Sequence, residues 1–183
     1  DVNTGAVLAC ATYPSYDLNT YYQNYEALSK DKSSPLWNRA LMSTYEPGST
    51  MKPAIAAAGL EEGVITETSK FYCSHIYRQF TDTTFKCLGS HGWIDVKNAL
   101  NQSCNIYFYE TGRLLGINRM NDYCTRFGLG QKTGVEINES SGVLAGIAYR
   151  EAHGGTWYPG DTVQAAIGQS DNLFTPIQLC SYV

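Results

Sequence analysis

No stretch of this chain approaches the roughly 20 consecutive apolar residues of a membrane-spanning helix, and no signal-peptide pattern opens it. Any membrane anchor must therefore lie outside these 183 residues. Positive charge is also scarce. Thirteen lysines and arginines against 17 acidic residues give a net charge of −4, without the basic surplus that holds nucleic acid. Internal repeats and low-complexity tracts are absent, and 43% hydrophobic residues against 16% charged exclude a disordered chain. What remains is one globular domain, or most of one, large enough for a real core. An initiator methionine is missing too: the chain starts at Asp1. Asn3-Thr4-Gly5 is a turn signal, and residues 6–11 read as a strand whose hairpin partner does not precede it. Thr175-Pro176 is a strong helix start close to the last residue. Both ends read as cuts in a longer protein.

What is present is polar chemistry at a loop-to-helix junction. In Glu46-Pro47-Gly48-Ser49-Thr50-Met51-Lys52-Pro53, Pro47-Gly48 breaks the preceding segment. The alanine-rich residues 54–62 then read as helix, with Gly63 as the stop. Ser49 and Lys52 stand three apart and share a helix face, which puts the amine within reach of the hydroxyl. A serine hydroxyl is a poor nucleophile until a base takes its proton, and a desolvated lysine can be that base. The positive end of the helix dipole favours negative charge developing at Ser49. The spacing S-x-x-K is not specific in itself. It recurs at Ser29-Lys30-Asp31-Lys32, in a polar run ending at Pro35 with no apolar helix to hold the pair.

The rest of the pattern is mostly helical: residues 19–30, 96–102 capped by Asp95, 106–115 stopped by Gly116, and 118–127 stopped by Gly128. Residues 29–35 and 154–160 read as the mobile loops. Between two of these helices lies Ser103-Cys104-Asn105. Its serine and asparagine can share hydrogen bonds with a lysine amine and a substrate amide, or can simply cap the next helix.

Taken together, these motifs resemble the transpeptidase domain of bacterial penicillin-binding proteins, in particular the class B, monofunctional type. Residues 4–9 with 13–19 resemble the strand and loop before the family's nucleophile, and residues 45–53 resemble its nucleophile segment almost residue for residue. His91-Gly92, Ala99-Leu100 and Ser103-Cys104-Asn105 resemble the second-motif region, and Ile167-Gly168-Gln169 with residues 175–179 resembles a later segment. The resemblance implies an α/β fold of the penicillin-binding-protein and serine β-lactamase kind, an antiparallel sheet flanked by helices plus a helical subdomain. Residues 1–183 would be a mostly helical, partial transpeptidase domain. The family's third motif, K-[ST]-G on a strand, should come after S-x-N and follow the Thr175 helix. Lys132-Thr133-Gly134 sits on a glycine-rich turn after a helix, and Ser170-Asp171-Asn172 leads into a helix start, so both are read as structure. Without that strand the chain alone should be a poor catalyst, because losing one oxyanion-hole donor costs about 10²–10³ in rate.

The resemblance further implies a peptidoglycan D,D-transpeptidase. Ser49 attacks the penultimate D-alanine of a stem peptide, Lys52 is the general base, Ser103 relays the proton towards the leaving group, and Asn105 holds the amine and the substrate amide. It implies no metal and no cofactor. The implied partners are stem peptides, β-lactam antibiotics that trap Ser49 and, for the parent, a glycan-polymerising protein. The implied location is the extracytoplasmic face of the bacterial membrane. Two other functions fit the same serine: a β-lactam sensor or silent scaffold, and a serine β-lactamase with Glu136 or Glu139 as the deacylating base. Cys73 and Cys87 flank a segment rich in β-formers, which suits a disulfide or a close thiol pair. Alternatively Cys73, His75, Cys87 and His91 make a zinc set. Cys104 reads as packing under its loop.

Overall fold

A computed structural model describes residues 1–183, with nine α-helices and four short strands: α1 (Tyr21–Lys30), α2 (Arg39–Met42), α3 (Lys52–Glu61), β1 (Phe71–Cys73), β2 (Ile76–Tyr77), β3 (Phe85–Lys86), β4 (Gly92–Ile94), α4 (Val96–Asn101), α5 (Asn105–Leu115), α6 (Ile117–Arg126), α7 (Ile147–Ala152), α8 (Pro159–Ala165) and α9 (Pro176–Tyr182). No helix is long and apolar enough to cross a membrane.

The alanine-rich run makes α3 the centre of the fold. Its apolar residues occupy nearly every side, and Ala54, Ile55, Ala56, Ala58 and Gly59 are all buried, as a helix enclosed by neighbours requires. Against it lies α5, whose Tyr107, Phe108, Tyr109 and Thr111 supply the bulk of the core. Backbone closeness comes from small residues. A methyl group on Gly59 would stand 2.8 Å from Cγ2 of Thr111, and one on Gly112 would stand 2.4 Å from Cβ of Ala166, next to α8. Helix α6 completes the cluster through Ile117, Met120 and Cys124, one stripe of an otherwise polar helix.

The strands form two antiparallel pairs. β1 and β4 align Phe71 with Ile94, Tyr72 with Trp93 and Cys73 with Gly92, while β2 and β3 align Ile76 with Lys86 and Tyr77 with Phe85. Residues 74–86 thus form the β2–β3 hairpin, and the β1–β4 pair encloses it, which brings Cys73 and Cys87 close together. Two further bridges, Tyr45 to Phe174 and Val143 to Leu173, tie the segment before Ser49 and the segment before α7 to the approach to α9. Thr175 caps α9 and Asp95 caps α4 through their side chains, as the sequence predicts.

One expectation fails, and the two segments read as mobile loops carry local hydrogen bonds. Residues 6–11 pair with no strand, and Leu8 is 81% exposed. Residues 154–160 are fastened: Trp157 donates from Nε1 to the Thr162 hydroxyl at 3.0 Å, and the Tyr158 amide donates to the Asp161 carboxylate at 2.8 Å. Residues 29–35 are also held, since Arg39 donates to the carbonyls of Ser33 and Ser34. Helices α7 and α8 escaped the sequence reading because Gly146 and Tyr158, which precede them, are not ordinary capping side chains.

Gly112→Ala tests the α5–α8 contact. Overpacking costs about 1–3 kcal/mol, and the better helix propensity of alanine returns about 1. The variant should unfold a few degrees lower, at about 2–4 °C per kcal/mol for a domain this size. An equal or higher midpoint in thermal or urea unfolding would show that the two helices can separate without cost.

Candidate active site

Ser49 sits on a single 3₁₀ turn, Gly48–Met51, that runs directly into α3, so its exposed hydroxyl stands at the positive end of a buried helix. The turn is tightly seated. The Gly48 amide donates to the Gly168 carbonyl at 2.9 Å, and a methyl group on Gly168 would lie 2.2 Å from the Gly48 oxygen. Only glycine at 168, where φ is also +73°, permits this approach.

Lys52 opens α3 and is 1% exposed. Its ammonium has three protons to donate and meets three acceptors: the Ser103 carbonyl at 2.8 Å, the Ser103 hydroxyl at 2.9 Å and Asn105 Oδ1 at 2.7 Å. The Ser103 hydroxyl in turn donates to Ser49 Oγ at 2.8 Å. All four residues singled out from sequence therefore meet in one hydrogen-bonded chain. One detail differs from the sequence reading: Lys52 reaches Ser49 through the Ser103 hydroxyl instead of directly. Ser103 can present both of its oxygens to the amine because its backbone is left-handed, with φ of 52°, a conformation rare outside glycine. Asn105 is oriented by its other end, where Nδ2 donates to the Lys86 carbonyl at 3.3 Å. The Tyr109 hydroxyl donates to that same carbonyl. Burial lowers the Lys52 pKa to about 8, against the opposing pull of the neighbouring Cys87 and Cys104 thiols.

The sequence look-alikes are taken up elsewhere. Thr133 Oγ1 and the Gly134 amide both donate to the Glu139 carboxylate at 2.8 Å, which holds that carboxyl below its usual pKa against the effect of burial. Lys132-Thr133-Gly134 is thus a carboxylate-bound turn, and Glu139 is not free to activate water. Asp171 and Ser170 bind Arg150, and Asn172 bonds to the backbone of Ala145, Ala165 and Gln169. At the second S-x-x-K, the Ser29 hydroxyl donates to the Glu26 carbonyl and Lys32 is exposed.

A model of the "Penicillin binding protein transpeptidase domain" family matches residues 1–183. Peptidoglycan D,D-transpeptidase MrdA of Salmonella typhimurium is 36% identical over 192 residues, covering 98% of this chain and 30% of that protein. The chain therefore spans less than a third of that relative's length. Among solved structures, Pseudomonas aeruginosa PBP2 in complex with WCK 5153 superposes with a TM-score of 0.90 at 36% identity, over 98% of this chain and 43% of that one. The imipenem acyl-enzyme complex of penicillin-binding protein A from M. tuberculosis gives 0.80 at 25% identity, over 96% and 42%.

Directly behind the Ser103–Asn105 loop lies a group that the sequence reading only half saw. All six cysteines are free thiols, so Cys73 and Cys87 form no disulfide. Instead Cys73, Cys87, His91 and Cys104 bring their donor atoms within 4.8 Å of one another. His91 Nδ1 lies 3.4 Å from the Cys73 sulfur and 3.6 Å from that of Cys87, which is 3.9 Å from the sulfur of Cys104. A tetrahedral zinc with 2.3 Å bonds to sulfur separates its ligands by about 3.8 Å, so this set suits that ion. Cys104 takes the place expected of His75. No local pattern announces it, because β1–β4 pairing and the start of α5 bring the four together. Burial would raise the Cys87 thiol's pKa, but amides of Gly89, Ile106 and Asn105 outweigh it and hold the pKa down, whereas burial pushes the neighbouring Cys104 thiol up to about 12. Elemental analysis of the purified chain should find close to one zinc, lost in Cys87→Ser, and a chelator should lower the unfolding temperature. A metal-free chain of unchanged stability after zinc dialysis would leave the four as three packed thiols and an imidazole.

Proposed function

The chain belongs to the penicillin-binding protein transpeptidase family, and from that premise we propose that its parent is a peptidoglycan D,D-transpeptidase with Ser49 as nucleophile. The observation that carries this reading is the unbroken chain Ser49 Oγ, Ser103 Oγ, Lys52 Nζ, Asn105 Oδ1.

The direction of proton flow follows from the types of partner. A carbonyl and an amide oxygen can only accept, so two of the three Lys52 contacts cannot reverse. Only the contact with the Ser103 hydroxyl can. When Lys52 is neutral, its lone pair takes the Ser103 proton while Ser103 takes the proton of Ser49. The Ser49 oxygen then adds to the carbonyl carbon of the penultimate D-alanine. Collapse of the tetrahedral adduct breaks the carbon–nitrogen bond, and the departing D-alanine amine receives a proton back through Ser103. A second amine, from a neighbouring stem peptide, attacks the Ser49 ester, forms the crosslink and restores the hydroxyl. A β-lactam opens on the same serine and leaves an ester that persists.

The proposed substrates are stem peptides ending in D-Ala-D-Ala. The proposed setting is the extracytoplasmic face of the bacterial membrane, with an anchor and a glycan-polymerising partner belonging to the parent. Residues 1–183 supply the nucleophile, base, relay and amine anchor as one part of the transpeptidase domain, and the K-[ST]-G strand belongs to another part. Glu139 already accepts two hydrogen bonds, which favours transpeptidase over β-lactamase.

Incubation with benzylpenicillin should add one penicilloyl mass, mapped by peptide digestion to Ser49 and absent from Ser49→Ala. An adduct elsewhere, or none on the full-length parent, would overturn the assignment. Acylation should also depend on pH in a set direction. Lys52 is active once deprotonated and its pKa is lowered to about 8, so the rate should climb from pH 6 to 9 with its midpoint near that value. Lys52→Met should slow acylation by about 10²–10⁴, the usual range for a positioned base. A rate that stays flat across this window would remove Lys52 from the role of base.

A further inference from the structure

The β1–β4 ladder, packed against α5, presents two large rings to solvent. Tyr72 and Trp93 are direct cross-strand partners with ring centroids 5.5 Å apart, yet they are 58% and 70% exposed. Their ladder neighbours Phe71 and Ile94 turn inward, as strand alternation requires, so the outer pair contributes nothing to the core. The rings line a cavity of about 390 Å³ whose floor includes Ile106 and Glu110 of α5 and whose rim carries Lys70 and Arg78. A volume of this order is typical of a ligand site.

The charges at this cavity are unevenly matched. Glu110 is neutralised in place, since it accepts from the Tyr77 hydroxyl and from Nε and NH2 of Arg113. Lys70 and Arg78 make no ion pair. Asp95, whose carboxylate is bonded to Asn98 at the cap of α4, is close enough to Lys70 for the two charges to interact without a direct ion pair. The cavity therefore offers ring faces beside two cations that no carboxylate contacts directly. Ring faces take flat, weakly polar surfaces such as the C–H face of a sugar ring, and the cations take carboxylates.

We propose that the Tyr72–Trp93 pair, with Lys70 and Arg78, is a second binding site for uncrosslinked glycan strand: an amino-sugar ring on the aromatic pair and a muramyl or stem-peptide carboxylate on the cations. This rests on the reading of the parent as a peptidoglycan enzyme. Because Ile106 directly follows Asn105, the glycan would be held on the same helix that anchors the catalytic amine.

The test uses calorimetric titration of the chain after penicillin treatment, with three ligands: a disaccharide-pentapeptide monomer, neutral chitotetraose and the free pentapeptide. The monomer should bind, and Trp93→Ala should weaken it about tenfold, a loss equivalent to about 1.4 kcal/mol. Trp93→Phe should restore most of that loss. Lys70→Ala with Arg78→Ala should weaken the monomer several-fold and leave chitotetraose unchanged. The proposal fails if the monomer shows no binding at millimolar concentration, if Trp93→Ala binds it like the original chain, or if the double variant affects charged and neutral ligands alike. A glycan-indifferent surface, as for a protein partner, would appear as the first or second of these results. The Ser49 assignment is judged separately by the adduct on the full-length parent, so its failure would leave the Trp93 comparison readable.

Discussion

A buried ammonium is the constraint around which this structure is organised. Lys52 has left water almost completely, and an unpaired charge in such a place costs several kcal/mol. Three acceptors at hydrogen-bond distance offset that cost, and each makes its own demand on the chain. The Ser103 carbonyl and hydroxyl can both face the amine only from a left-handed residue, so the loop between α4 and α5 is strained where it meets Lys52. Asn105 must turn its oxygen inward, which the Lys86 carbonyl secures by accepting from the opposite end of the amide. Incomplete compensation then makes Lys52 useful, because an amine less comfortable with its charge gives up its proton nearer neutrality.

These demands reach into the core. The distance from α3 to the Ser103 loop depends on how closely α3 and α5 approach, and that approach depends on Gly59 lying against Thr111. Behind the loop, Cys104 and Cys87 stand on the side away from Ser49, with the Asn105 amide donating to the Cys87 sulfur at 3.2 Å. The strained loop is thus gripped from both faces, by an amine in front and by thiols behind. Gly168 provides the third support, holding the Gly48 turn by backbone contact alone. Side chains far apart in sequence converge here because packing leaves each of these loops one position.

How much of this was legible depends on the range of the interaction. Ser49 and Lys52 stand out because helix geometry acts over three residues, and the glycine and proline around them mark the helix start without any tertiary information. Ser103 and Asn105 were readable only as members of a motif set, since nothing local says that a lysine fifty residues away will need their oxygens. The caps of α4 and α9 were readable because Asp95 and Thr175 act on their own helices. Residues 6–11 show the opposite limit. Their apolar run speaks for a strand, but a strand is a relation between two segments, and here no second segment pairs with them. The thiol cluster was legible in part: Cys73, Cys87 and His91 meet as the sequence allows, but Cys104 takes the place of His75, because β1 pairs with β4 and the start of α5 supplies the fourth donor.

Helix α5 unites these observations. Its N-terminus holds Asn105 against the catalytic amine, its next residue, Ile106, lies at the floor of the aromatic cavity, and its buried face meets α3, α6 and α8. A short, well-packed helix is stiff over this length, so anything bound against Ile106 and Glu110 stands at a fixed distance from Ser49. A crosslinking enzyme must present a small reactive peptide that hangs from a long, mobile polymer, and the entropy of positioning it is a large part of the barrier. On the proposed function, holding a glycan strand on the same rigid element that holds the Lys52 amine would reduce that entropy before the chemistry begins. The exposed rings of Tyr72 and Trp93, which add nothing to the core, acquire a physical reason on that account: they stand where a strand of sugar could be steadied without touching the residues that move protons.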